Sequence, residues 1–93
     1  MDGVRGRLVF HGRVQGVGFR YYVIHAASHH EVTGYVKNTC DGAVEVVAEG
    51  QKEEVRNFFL DIQEGPVSAS IRSVVEEWSP YTGFYPTFQV EYE

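Results

Sequence analysis

This 93-residue sequence has little of several features that define other classes of protein. Its only cysteine is Cys40, so no internal disulfide can form, which favours a reducing compartment. No stretch approaches the roughly 20 apolar residues that span a bilayer, and residues 1–5 contain no apolar leader. No internal repeat or low-complexity linker is present either. These absences predict one small cytoplasmic domain over residues 1–93 that has no membrane partner.

Basic residues are also few, and they are unevenly distributed. Eight lysines and arginines stand against thirteen acids, which gives a formal net charge of −5 at pH 7. Residues 1–30 hold four arginines and one aspartate, whereas residues 41–93 hold eleven acids and three bases. The acidic balance argues against a nucleic-acid partner, and the basic first third predicts a local potential that attracts a small anion.

Glycines cluster at Gly12, Gly16 and Gly18, at the end of an alternating apolar run and just before Arg20. The cluster lacks the Gly-Lys-Ser/Thr ending of a Walker P-loop, and Tyr21 stands where a dinucleotide fingerprint has its third glycine. Because glycine tolerates positive φ, successive N–H groups in such a turn can point into one concavity and bind an anion. Arg20 falls in the first turn of the next predicted helix, where the dipole adds to its charge. The alternative is a tight turn whose glycines serve only backbone geometry.

The periodicity of apolar residues predicts helices over residues 19–31 and 55–62. Strands are predicted over residues 6–14, 32–38, 44–48, 67–78 and 84–92, with a hairpin at Asp41-Gly42. The order β-α-β-β-α-β with an added terminal strand predicts an α+β, ferredoxin-like split βαβ sandwich, in which an antiparallel sheet carries both helices on one face. If the first and third strands are neighbours, the loop after the first strand can face the end of the second, which brings Arg20 near Asn38.

Two segments resemble the acylphosphatase family: Gly12–Arg20, and Gly34-Tyr35-Val36-Lys37-Asn38 followed by Asp41-Gly42. The resemblance continues through residues 42–50, the second helix, Gly65-Pro66 and the last strand, so it covers nearly the whole chain. Tyr35 and Lys37 depart from the more usual tryptophan and arginine.

The resemblance implies a single acylphosphatase-like domain that hydrolyses the carboxyl–phosphate bond of acyl phosphates, without metal or cofactor. In the family, the glycine loop binds the phosphoryl group, the arginine matching Arg20 is catalytic, and the asparagine matching Asn38 positions the attacking water. The implied partners are a small acyl phosphate and inorganic phosphate, which is the product and a competitive inhibitor, and the implied oligomeric state is a monomer. The implied phosphate-binding residues are Gln15, Gly16, Val17, Gly18, Phe19 and Arg20.

Two interpretations from other functional classes remain open. An RNA-recognition domain shares the order of helices and strands, but its aromatic motif belongs on the third strand and is matched here only across the glycine loop, at Gly16, Gly18, Phe19 and Tyr22. An acylphosphatase-like domain could also act as a regulator, or be a remnant of a larger hydrogenase-maturation enzyme that uses carbamoyl phosphate.

Histidines offer two alternatives to the metal-free chemistry. His25 and His29 are four residues apart on a predicted helix and could both bind a metal, but no further ligand is patterned, so no metal is predicted. His11 precedes Gly12 at the edge of the predicted loop. It is the residue that could act as a general base on the attacking water, in contrast to a mechanism in which Asn38 only orients that water.

Overall fold

The computed structural model of the chain describes residues 3–92, so residues 1, 2 and 93 of the predicted domain lie outside the described part. Within that part are five strands and two helices, in an order that matches the prediction. The elements are β1 (Gly3–Arg13), α1 (Phe19–Ala27), β2 (Thr33–Asn38), β3 (Val44–Gln51), α2 (Lys52–Ile62), β4 (Ser70–Pro80) and β5 (Phe88–Glu91). Among residues 3–92, no helix is long and apolar enough to cross a membrane.

The strands form one sheet in the order β4-β1-β3-β2-β5. β3 pairs antiparallel with both β1 and β2, and β1 pairs antiparallel with β4. The predicted ferredoxin-like fold is therefore confirmed, including the neighbouring first and third strands. One detail differs, because β5 pairs parallel with β2 and makes the sheet mixed rather than wholly antiparallel. β4 finishes at the end of the sheet where β2 starts. Residues 81–87 cross the sheet at that end, so β5 starts beside the start of β2 and runs in the same direction.

Both helices pack on the same face of the sheet, as the alternation along the strands predicts. Phe10 of β1 meets Phe19 of α1 with ring centroids 4.9 Å apart, and Phe58 of α2 meets Phe88 of β5 at 5.3 Å. Burial of this apolar surface stabilises the fold by about 25 cal/mol per Å². The buried cluster consists of Leu8, Phe10, Val14, Phe19, Val23, Ala27, Val36, Val44, Val46, Ala48, Val55, Phe58, Phe59 and Ile62.

Four elements are shorter than predicted; β2 loses only residue 32, and the other three have separate reasons. α1 ends at Ala27 rather than at residue 31, where the backbone changes to i→i−3 hydrogen bonds from the His29 N–H to the Ala26 carbonyl and from the His30 N–H to the Ala27 carbonyl. β4 begins at Ser70 rather than at residue 67, because a turn joins the N–H of Ala69 to the carbonyl of Pro66. β5 begins at Phe88 rather than at residue 84 because the preceding loop lies across the sheet.

A carboxylate is buried on the sheet face opposite the helices. The Glu45 side chain accepts hydrogen bonds from Arg7 Nε at 2.5 Å and from the Tyr35 hydroxyl at 3.0 Å, and Lys37 Nζ lies 3.6 Å away. Burial would raise the pKa of Glu45, but the hydrogen bonds from Arg7 and Tyr35, together with the charges of Arg7 and Lys37, outweigh burial and hold the pKa below its ordinary value. Burial raises the pKa of the Tyr35 hydroxyl most strongly, and the negative charge of Glu45 raises it further. This cluster joins β1, β2 and β3 across the outer face.

A second carboxylate, Glu49, fixes the loop that leads to β5. Its oxygens accept hydrogen bonds from the Thr82 hydroxyl at 2.5 Å and from the Gly83 N–H at 2.9 Å, and Arg5 Nε lies 3.7 Å away. Glu49 is 1% exposed, so these donors replace the water that its carboxylate oxygens lose on burial. Loop 81–87 is thereby held against the outer face before β5 begins beside Gly34.

We predict that replacing Glu45 with glutamine lowers the pH dependence of stability. A carboxylate whose pKa is lower in the folded state than in the unfolded state stabilises the fold above its unfolded pKa, and that stabilisation disappears as the pH falls through the folded pKa. At neutral pH, Glu45→Gln should cost about 1–2 kcal/mol of the free energy of unfolding, since Arg7 is partly exposed and screened. Urea denaturation between about pH 3 and pH 6 should show a shallower slope in this variant. The matched control, Glu64→Gln on the exposed surface, should keep the wild-type slope; equal slopes in all three proteins would contradict the prediction.

Candidate active site

A cleft of about 510 Å³ opens where β1 turns into α1, between α1 and the β2–β5 edge of the sheet. Its residues come from the β1–α1 loop, the first turns of α1, the end of β2, and β5 with the residue that follows it. They are Val14, Gly16, Gly18, Phe19, Arg20, Tyr21, Ile24, Asn38, Phe88, Gln89, Val90 and Tyr92. The cleft therefore joins the two segments that carried the family resemblance.

The loop has the left-handed backbone that the glycine spacing predicts. Gly16 and Gly18 have φ angles of 73° and 80°, and a Cβ at either position would meet nothing within 4 Å. The glycines are therefore required by the positive φ and not by a lack of space. Gly18 is the N-cap of α1, no side chain caps the helix, and the first helical hydrogen bond runs from the Tyr22 N–H to the Gly18 carbonyl. The N–H groups of residues 19–21 precede that bond, so the positive end of the helix lies at the cleft.

Arg20 and Asn38 line this cleft from different elements, although they are eighteen positions apart in the sequence. The Arg20 guanidinium lies 5.6 Å from the centre of the Tyr92 ring, which is the geometry of a cation–π contact. Within residues 3–92, no carboxylate forms an ion pair with Arg20, so its charge is available to a ligand. Asn38 is the last residue of β2, and continuing the β2–β5 register beyond Lys37 brings Tyr92 alongside it.

Two of the predicted phosphate-binding residues, Gln15 and Val17, do not line the cleft and form hydrogen bonds elsewhere. The side chain of Gln15 donates from Nε2 to the carbonyls of Thr39 and Ala43, both at 2.8 Å. The carbonyl of Val17 accepts a hydrogen bond from the Ser68 hydroxyl at 3.0 Å. These contacts attach the loop to the β2–β3 turn and to the segment before β4. Any contribution of Gln15 and Val17 to phosphate binding must come from their backbone N–H groups.

The remaining predicted loop residues, Gly16, Gly18, Phe19 and Arg20, do line the cleft. Phe19 contributes only its backbone, because its side chain is 2% exposed and belongs to the core. The phosphate-binding assignment of residues 15–20 and the catalytic assignments of Arg20 and Asn38 stay predictions.

The histidines lie outside the cleft. His11 is half-buried on β1 and does not line the cleft. The pKa of Asp41 is lowered chiefly by the hydrogen bond from the Thr39 hydroxyl, and His11 contributes weakly to the same lowering. The rings of His25 and His29 are 5.0 Å apart, but the described part of the chain contains no group of three or more metal-binding side chains. One wall of the cleft, formed by Phe88, Val90 and Tyr92, is not predicted from the sequence. These residues alternate on one face of the last predicted strand, and that pattern is the same for a cleft wall and for the core.

The fold and the site together define a small α+β domain with a glycine-rich loop at a strand-to-helix turn and a cleft beside it. The acylphosphatase family profile matches residues 6–90. An acylphosphatase from Bacillus licheniformis is 44% identical over 87 residues, which cover 92% of this chain and 96% of that protein. The chain belongs to the acylphosphatase family.

Solved structures agree with this assignment. The crystal structure of acylphosphatase from Bacillus subtilis superposes with a TM-score of 0.89 and 32% identity, over 96% of this chain and 99% of that one. HypF from T. kodakarensis, a much longer chain, superposes with a TM-score of 0.83 and 33% identity, over 97% of this chain and 12% of that one. The same fold therefore occurs as a short chain and as a segment of a larger protein.

We predict that Gln15→Met loosens the loop against the β2–β3 turn. Methionine keeps the length of the side chain but leaves the carbonyls of Thr39 and Ala43 without these donors, which should cost about 1–2 kcal/mol of the free energy of unfolding. Thermal unfolding with and without phosphate measures both the lost stability and any weaker stabilisation by the anion. The matched control is Gln63→Met on the exposed end of α2. A Gln15→Met protein as stable as this control would show that the two hydrogen bonds do not anchor the loop.

Proposed function

We propose that this chain hydrolyses the carboxyl–phosphate bond of acyl phosphates and releases a carboxylate and inorganic phosphate. The observation that carries the proposal is the cleft itself, which combines the glycine loop, Arg20 and Asn38 in a member of the acylphosphatase family. A carboxylate is already a good leaving group, so the reaction needs mainly placement and charge stabilisation.

The phosphoryl group is proposed to lie in the concavity of residues 15–20. The N–H groups of the loop and the Arg20 guanidinium hold its equatorial oxygens while charge redistributes in the transition state. A lysine would supply the charge but not the two parallel donors of a guanidinium. The Tyr92 ring against the guanidinium supports this role, because it restricts the directions in which Arg20 can point.

Asn38 is proposed to orient the attacking water. Its amide does not titrate near neutral pH, so it can hold a water in line with the bond to be broken but cannot remove a proton from it. Among the described residues, no histidine, aspartate or glutamate lines the cleft. The water proton therefore passes to a phosphate oxygen of the substrate.

Inorganic phosphate, the product, is proposed to bind the same loop and to inhibit competitively. We also propose a monomer, because the glycine loop, Arg20 and Asn38 already come together in a cleft within one chain, and a cytoplasmic location, in keeping with a single cysteine. A purely regulatory domain would bind phosphate without turnover. Incubation with benzoyl phosphate separates these functions, since loss of the anhydride above the spontaneous rate supports hydrolysis and binding alone supports regulation. The RNA-recognition alternative is disfavoured by the family match and by Phe19, which is buried and cannot stack on a base.

We predict that Arg20→Gln and Asn38→Ala separate phosphate binding from water placement. Removing the guanidinium takes away a charge-assisted contact, so Arg20→Gln should lose about 2–4 kcal/mol of transition-state stabilisation, or roughly 30- to 1,000-fold in kcat/KM, and should also weaken phosphate inhibition. Asn38→Ala should lose most of kcat while phosphate still inhibits, because the anion contacts remain.

The control is Arg13→Gln, which removes the same charge from an exposed arginine at the end of β1 that does not line the cleft. It should keep near-normal turnover of benzoyl phosphate. Normal turnover in Asn38→Ala would show that asparagine does not place the water, and normal phosphate inhibition in Arg20→Gln would remove the anion role of arginine.

We predict that hydrolysis needs no added metal and that its rate is flat with pH from about 5 to 8, because among the described residues no histidine, aspartate or glutamate lines the cleft and the Asn38 amide is not ionisable. The measurement is a pH–rate profile with and without a chelator. His11→Gln is the decisive variant, because a histidine base would give a limb near about pH 6–7 that the variant loses together with most of its activity. That result, or loss of wild-type activity in chelator, would contradict the mechanism.

A further inference from the structure

The cleft beside Arg20 and Asn38 is larger than a phosphoryl group requires. Its volume of about 510 Å³ falls in the range of sites for small organic ligands, roughly 300–1,000 Å³. A phosphoryl group has only a few heavy atoms, and the loop that is proposed to hold it forms one end of the cleft. The rest of the space is available to the other half of a substrate.

The walls beyond the loop are mostly apolar, and Gln89 is the one polar residue among the β5 residues that line the cleft. Ile24 lies four residues after Arg20, so it projects from the same side of α1 one turn, or about 5.4 Å, farther along the axis. Opposite it, Phe88 and Val90 of β5 are half-buried and pack against the core. At the mouth stand two tyrosines, Tyr21 and Tyr92, which are 84% and 80% exposed.

The β2–β5 register orders these groups along the cleft. Val36 pairs with Val90, and Tyr92 follows beside the end of β2, where Asn38 lies. Moving back along β5 from Tyr92 to Val90 and Phe88 therefore leads away from the proposed reacting end and along an apolar wall. A substrate whose phosphoryl group lies at Arg20 would extend its acyl group along this wall.

The cleft also differs in charge from another groove of similar volume. Among the described residues that line the cleft, Arg20 is the only charged one. A groove of about 560 Å³ between α2 and β4 has a similar volume but is lined by Lys52, Arg56 and Glu76 together with apolar side chains. An acyl group with its own carboxylate would enter the cleft without a cation to pair with, because Arg20 is occupied by the phosphoryl group, and would lose hydration at a cost.

We propose that the acyl group of the substrate lies between Ile24 of α1 and Val90 of β5, and that the chain prefers acyl phosphates with an uncharged apolar acyl group. This specificity rests on the hydrolysis proposed above. Ile24 and Val90 act as specificity-determining residues: they contact the part of the substrate that does not react, and its binding there holds the phosphoryl group in the loop.

The test compares benzoyl, acetyl and 4-carboxybenzoyl phosphate as substrates of the full chain. Each kcat/KM is divided by the rate of spontaneous hydrolysis, which corrects for leaving-group reactivity because the para carboxylate cannot reach the acyl carbon of its own molecule. The wild type should prefer benzoyl phosphate over acetyl phosphate by about tenfold or more, and the added carboxylate should make 4-carboxybenzoyl phosphate a poorer substrate than benzoyl phosphate. Equal normalised values for benzoyl and 4-carboxybenzoyl phosphate would overturn the specificity.

Two variants test the walls separately. Ile24→Ala shortens the α1 wall, and Val90→Thr keeps the volume of the β5 wall but adds a hydroxyl. Each should lower the benzoyl-to-acetyl ratio by about five- to tenfold, whereas a general loss of folding would lower both values together. Leu60→Ala, which truncates a side chain that is 65% exposed on α2 and outside the cleft, should keep the wild-type ratio.

Inorganic phosphate has no acyl group and reports on the loop alone. It should inhibit Ile24→Ala as well as it inhibits the wild type, which shows that the variant is folded at the site. An unchanged benzoyl-to-acetyl ratio in both variants would overturn the acyl site while leaving hydrolysis intact. If the wild type hydrolyses none of the three compounds, the hydrolysis itself is wrong, and the acyl site falls with it.

Discussion

The antiparallel pairing of β3 with both β1 and β2 is the constraint on which the candidate site depends. Two strands that are each antiparallel to a common neighbour run in the same direction, so β1 and β2 end at the same edge of the sheet. The glycine loop follows β1, and Asn38 is the last residue of β2. Their proximity in the cleft is a consequence of strand order, and β5, which runs parallel to β2, brings Tyr92 to the same edge.

Charges on the far side of the sheet support this arrangement. Glu49 is buried on the outer face and holds Thr82 and Gly83, so the loop between β4 and β5 follows a defined path. Glu45 joins three strands through Arg7 and Tyr35. These carboxylates have their own donors, whereas Arg20 has no ion-pair partner within residues 3–92. A net acidic protein thus keeps one cation available where an anionic substrate would bind.

Much of the fold and part of the site could be predicted before the structure. Alternation of apolar residues identified the strands, and helical spacing identified Val55, Phe58, Phe59 and Ile62 as the buried side of α2, which they are. Element ends were less predictable: α1 stops at Ala27 because the backbone changes there to i→i−3 hydrogen bonds, which the periodicity of apolar residues does not predict. The parallel pairing of β5 depends on where loop 81–87 crosses the sheet, which no short-range pattern records.

The sequence by itself determined the glycines that adopt positive φ at residues 16 and 18, the arginine in the first turn of the following helix, and the family to which the chain belongs. Those features are local, since backbone conformation and helix position follow from neighbouring residues. Only the tertiary structure decided that the side chain of Gln15 anchors the loop to the β2–β3 turn and that Tyr92 lies against Arg20. It also decided that Phe88 and Val90 face a cleft as well as the core. These contacts join residues far apart in the chain, so they exist only once the strands have found their order and direction.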